Sequence, residues 1–182
     1  MAEKKQTQKL TKILEDLNSD DVKKVSKGIK ALEAHGNASM IKPLADLLLK
    51  GVSEKNEGEI IELLSCLKDT TVVVEVMDVL EEEKYLPIRQ IILSTIWNTK
   101  VDFSNYIDTF VEIAVKGNFM ESLDCLTIIE NLEGPFMEED ILESQLHLKT
   151  YMESTETKDE QKAHILSEIA LKLKEINMSL MD

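Results

Sequence analysis

Apolar residues recur three and four positions apart almost from the start of this chain. Leu10, Ile13, Leu14 and Leu17 follow i, i+3, i+4, i+7, which places them on one stripe of a short first helix. The run Asn18-Ser19-Asp20-Asp21 ends it and opens the next: Ser19 is expected to accept from the free N–H groups of the following turn, with Asp20 and Asp21 at the positive end of the helix dipole. Val22, Val25, Ile29 and Leu32 then form a second stripe that Gly36 stops. Ser39 is expected to cap a third helix with Ile41, Leu44, Leu47 and Leu48 facing inward, and Pro43 sits in its first turn, where a missing N–H costs little.

The pattern repeats. Asn56 and Glu59 have the spacing of a capping pair ahead of Ile60, Ile61, Leu64 and Leu67, and a break at Thr70-Thr71 leads to Val72, Val73, Val76, Val79 and Leu80. Pro87 suits a helix start before Ile88, Ile91, Ile92 and Ile96, and a turn over residues 102–104 precedes Ile107, Phe110, Val111 and Ala114. Gly117 ends that helix. Asn118 and Glu121 repeat the capping signature before Leu123, Leu126 and Ile129, and Gly134-Pro135 breaks the chain ahead of Ile141, Leu142, Leu146 and Leu148. The polar stretch 153–156 predicts a loop, and Thr157 with Glu160 predicts a capping box for a long last helix carrying Ile165, Leu166, Ile169, Ala170, Leu173 and Ile176. About ten helices and almost no strand are expected.

These helices also repeat as pairs. An offset of 35 takes Ile29, Leu32, Ile41 and Leu44 to Leu64, Leu67, Val76 and Val79; an offset of 31 takes Ile60, Ile61, Val76 and Val79 to Ile91, Ile92, Ile107 and Phe110; an offset of 34 takes Ile92 and Ile107 to Leu126 and Ile141. A helix pair recurring at that period cannot bury its apolar face alone, so stacked hairpins are expected. The segment AHGNASMIKPLADLLLKG, with its glycine stop and its Ile-Lys-Pro-Leu opening before a leucine-rich turn, resembles the HEAT and armadillo class of α-solenoids. The resemblance implies an all-α, right-handed solenoid of about four antiparallel helix pairs in a single domain over 1–182, with a cap helix over 1–18, pair repeats over 19–150 and a second cap over 157–178. A compact helical bundle without repeats is the competing architecture.

Composition agrees with helix. Only 6 Gly and 3 Pro occur in 182 residues, and 43% apolar content is enough to bury a core without staples. Cys66 and Cys125 lie far apart inside apolar runs and read as small buried side chains rather than a disulfide framework. The start MAEKKQTQKL lacks the apolar region of a secretory signal, and no stretch reaches the length of a bilayer span, so a soluble cytoplasmic protein is expected.

Sites for chemistry are scarce. His35, His147 and His164 have no histidine or cysteine three or four residues away, there is no Walker loop, dinucleotide-binding turn or GxSxG, and no metal or cofactor is expected. One enzymatic branch of the HEAT-like class builds a di-iron site from repeated His-Glu dipeptides, which this chain lacks. A second branch, the bilin lyases, carries no short motif and stays open as an alternative, as does an oligomerising structural module docked through the last helix. The formal charge of −14 opposes binding of nucleic acid, although the charge is uneven: residues 1–50 carry ten lysines against seven acids, a net of +3, which leaves −17 for the rest. Lys23, Lys24, Lys27 and Lys30 form a basic helix face that reads as solvated. Trp97 reads either as a core residue or as an exposed anchor for a partner, and the methionines, Met178 and Met181 among them, read as gap fillers.

The expected function is that of a non-enzymatic interaction scaffold, a monomer or weak homo-oligomer. In HEAT-like arrays the second helix of each pair lines the concave face, and here the positions opposite its apolar stripe are acidic. Glu75, Asp78 and Glu82 stand opposite Val72, Val76 and Val79; Asp108 and Glu112 are one turn apart; Glu139 and Glu143 repeat the pattern. Such a face is expected to take a protein partner with a basic surface.

Overall fold

Amphipathic stripes of this kind bury themselves on one another, and the computed structural model, which describes residues 11–35, 38–154 and 159–180, shows helix after helix and no strand among them. Contacts gather the chain into two units, Met1–Val101 and Asp102–Asp182.

In the first unit, α1 is helical over 11–17 and is followed by α2 (Val22–His35), α3 (Ile41–Lys50), α4 (Glu54–Ser65), α5 (Val73–Glu81) and α6 (Arg89–Ile96). Single turns of 3-10 helix, Ala38–Met40 and Thr70–Val72, lead into α3 and α5, and a longer 3-10 stretch, Glu83–Ile88, leads into α6. Pro87 falls inside the last of these, where its missing donor removes nothing from an α-helical ladder. Helix α2 lies against α4 and α4 against α6, while α3 lies against α5 and the turn that follows it. Leu32, Leu44, Ile60, Val79, Leu80 and Leu93 are buried between them. Val22, expected on the buried stripe, is exposed instead. Gly28 sets how closely α1 and α2 approach: a Cβ there would stand 2.9 Å from the Leu17 side chain and 3.1 Å from the Leu17 backbone nitrogen.

The second unit holds α7 (Ile107–Lys116), α8 (Phe119–Glu130), α9 (Glu138–Glu153) and α10 (Glu160–Leu180). Helix α7 packs on α8 and α9, and α10 packs on the same two. Phe103 and Phe110 meet edge to face with centroids 6.1 Å apart. Leu166, Ile169, Leu173 and Ile176 are the buried seam of α10, spaced three, four and three. Lys162 ties its first turn to the end of α7, donating to the carbonyls of Val115 and Gly117 at 2.6 Å each, which satisfies acceptors that the helix end leaves open.

Local details depart from the expectations at several places. Ser19 accepts from the Asp21 N–H at 3.2 Å, and Asp21 in turn accepts from the first turn of α2 through the Lys23 N–H. The residue that opens α3 is Met40, whose side chain makes no cap bond, and Ser39 lies in the 3-10 turn that leads into it. Ser53 caps α4 by accepting from the Asn56 N–H, which frees Asn56 and Glu59 for a different task. The Asn56 side chain donates to the Val22 carbonyl and to Ser26 Oγ of α2 at 3.3 Å each and to Glu59 at 3.0 Å, and Ser26 also donates to Glu59. The box of Asn118 and Glu121 is as expected. Cys125 is buried but Cys66 is exposed at the end of α4, and Met178 is exposed rather than filling a gap. Leu10, Gly36, Thr157 and Met181 lie outside the described residues, so the helix stop and capping box assigned there are not described.

Candidate protein-binding face

The carboxylates singled out from the sequence fall into two environments. Asp78 of α5 and Glu82, the residue that closes it, share one cation: Lys42 of α3 stands 3.1 Å from Asp78 and 3.2 Å from Glu82. Those two hydrogen bonds hold the Lys42 ammonium above its ordinary pKa. Glu82 also meets Lys84 at 3.6 Å, and Lys84 reaches Asp46 at 3.4 Å. Asp46 in turn accepts from the buried Tyr85 hydroxyl at 2.8 Å. Charge on this face is therefore compensated locally. Glu75, half-buried on the same helix, does not share Lys42.

The second unit is different. Asp108 opens α7, while Glu138, Glu139 and Asp140 open α9, where the N-terminal dipole of each helix favours negative charge. Packing of α7 on α9 brings these turns together. Partial burial, and then the charges of Asp108, Glu139 and Glu143, push the Asp140 carboxyl above its ordinary value. Among the ion pairs of the described residues, none reaches Asp108, Glu139, Asp140 or Glu143. Glu112, one turn beyond Asp108, is bonded to Lys116, which holds its carboxyl below the ordinary range; His147 of α9 adds a smaller pull in the same direction.

Three of the expected residues, Asp108, Glu139 and Glu143, are thus collected around a fourth, Asp140, that the sequence reading passed over. The run Glu138-Glu139-Asp140 was the available signal, because a first turn with three acids in succession turns at least one of them toward a neighbouring helix. Among the described residues, no three His, Cys, Asp or Glu side chains converge where a metal ion could be held. The carboxylates spread along a surface.

Apolar side chains border them. The buried face of α9 is Ile141, Ser144 and Leu148, with the Ser144 hydroxyl satisfied by the Asp140 carbonyl at 2.7 Å. Leu142 and Leu146, expected on the inward stripe, face outward and are 55% and 61% exposed. Trp97 closes α6 and is 44% exposed, so it is not a core residue. His164 is exposed and His147 half-buried; the side chain of His35 lies outside the described set. No helix among the described residues is long and apolar enough to cross a membrane. No protein-family model, curated protein or solved structure matches the chain.

Proposed function

We propose that this chain is a non-enzymatic interaction scaffold of the HEAT or armadillo-like kind, and that it receives a basic protein surface on the α7 and α9 face. The observation that carries the functional reading is the environment of Asp140. Four carboxylates gather there, partial burial and then the charges of the other three hold the Asp140 carboxyl above its ordinary value, and no lysine of the described ion pairs reaches any of the four. A partner that brings lysine or arginine relieves the repulsion on binding and is drawn in faster at low salt.

Polar contacts between helices support the solenoid part of the proposal. Val22 meets Asn56, Ser26 meets Glu59 and Lys42 meets Asp78, at separations of 34, 33 and 36 residues. In the second unit Asp108 acts on Asp140 and His147 acts on Glu112, in the same order along both helices. Stacked helix pairs bring residues one repeat apart into contact, and the apolar period of the sequence is 31 to 35 residues.

Binding of a fluorescent oligolysine, followed by anisotropy at rising salt, tests the functional reading. Asp108→Asn/Glu139→Gln/Glu143→Gln is expected to weaken binding and flatten its salt dependence, whereas Asp78→Asn/Glu82→Gln, on the compensated face, changes it little. Equal binding by the first variant and the parent protein overturns the proposal.

A further inference from the structure

The outward face of α9 carries more than charge. Leu142 and Leu146 stand one helical turn apart, each more than half exposed, and Glu139 and Glu143 stand one turn apart beside them, also exposed. Single exposed leucines are ordinary on protein surfaces. Two on adjacent turns form one continuous apolar ridge, and the residues that hold α9 in place, Ile141, Ser144 and Leu148, lie on its other side. Packing within the unit therefore does not account for the ridge.

We infer that this ridge is a docking site for a basic amphipathic helix of a partner protein, which lays apolar side chains against Leu142 and Leu146 and lysine or arginine against Glu139 and Glu143. The inference rests on the proposed function and specifies its partner. Charge complementarity selects the occupant. A second copy docked parallel through the same helix would set Glu139 and Glu143 against their own equivalents, and in either orientation two copies of a chain with a net charge of −14 are brought together. A membrane surface rich in anionic lipid is opposed by the same carboxylates and by the net charge of −14. The i, i+4 spacing of both the leucines and the acids matches the spacing of side chains along a partner helix, which reads such anchors at i, i+3, i+4 and i+7.

Two labelled peptides of the same Ala, Lys and Leu composition test this. One carries its leucines one turn apart on a single face; the other carries them on opposite faces. The parent protein is expected to bind the first more tightly. Leu142→Ser/Leu146→Ser should weaken that peptide roughly tenfold and leave the second unchanged, while Glu139→Gln/Glu143→Gln should weaken both and reduce their salt dependence. Both leucines are exposed, so the helical circular dichroism signal and the denaturation midpoint should be kept, and the milder Leu146→Gln should act in the same direction. If the leucine variant binds the patterned peptide as well as the parent does, the docking inference falls and the acidic-face reading survives. If the parent binds neither peptide, both fall. A dimer seen by light scattering and lost in the leucine variant assigns the ridge to a second copy and also overturns the inference.

Discussion

Lys42 donates to Asp78 across 3.1 Å, although 36 residues separate the two along the chain. The same ammonium stands 3.2 Å from Glu82, so two of the three acids singled out there, Glu75, Asp78 and Glu82, are answered from within the molecule. A charge stripe visible in sequence is not a free charge stripe once a neighbouring helix supplies a lysine. Replacing that lysine should uncover it. Lys42→Met is expected to increase oligolysine binding and its salt dependence, read by anisotropy, while the denaturation midpoint moves little because the pair is solvent-exposed. Unchanged binding would mean that Asp78 and Glu82 are already available to a partner.

Two glycines within helices should respond in opposite directions to the same substitution. At Gly28 a new Cβ meets Leu17 at 2.9 Å, including backbone at 3.1 Å, so α1 and α2 have to separate. Overpacking of this kind costs about 1–3 kcal/mol, more than the roughly 1 kcal/mol gained by removing a glycine from a helix. Gly58 of α4 has open space around its Cβ position. Gly28→Ala is expected to lower stability in urea denaturation, and Gly58→Ala to raise it by up to about 1 kcal/mol. Stabilisation by both would contradict the close approach of α1 to α2.

The network of Ser26, Asn56 and Glu59 gives a pH dependence. The Ser26 hydroxyl, and then the Asn56 amide, hold the Glu59 carboxyl below its ordinary value of 4.5, with desolvation opposing them. A carboxylate depressed in the folded state contributes stability that is present above the unfolded value and lost as pH falls through the lower folded one. Ser26→Ala should therefore cost about 1 kcal/mol near neutral pH, and the cost should shrink as the pH is lowered through the range where Glu59 takes up its proton. Urea denaturation of both proteins across acidic and neutral pH checks this. A cost independent of pH would remove Glu59 from the account.

Much of the helical content was legible because it depends on neighbours in sequence. The box of Asn118 and Glu121 is local chemistry, and the stripe of Ile107, Phe110, Val111 and Ala114 stayed buried as expected. Long-range partners were not legible. Asn56 had the spacing of a cap, but Ser53 takes that place and Asn56 is spent on the Val22 carbonyl in another helix. On α9 the period of 3.6 permits two faces, one through Leu142 and Leu146 and one through Ile141, Ser144 and Leu148. The expected stripe of Ile141, Leu142, Leu146 and Leu148 drew on both, and only Ile141 and Leu148 are buried. Packing chose the second, because the Ser144 hydroxyl is satisfied within its own helix and leaves only a small side chain at the contact. The misassigned leucines and the overlooked Asp140 make up much of the candidate face, and both follow from how α9 is rotated against α7, which no local pattern records.

A basic partner received on α7 and α9 would shield the backbone of those helices. Amide hydrogen exchange of the full chain, alone and saturated with oligolysine at low salt, reads that footprint. Slowed exchange is expected to concentrate in 107–112 and 138–147 and to disappear at high salt. Protection confined to α2 through α6, or binding without protection at α7 and α9, would contradict it.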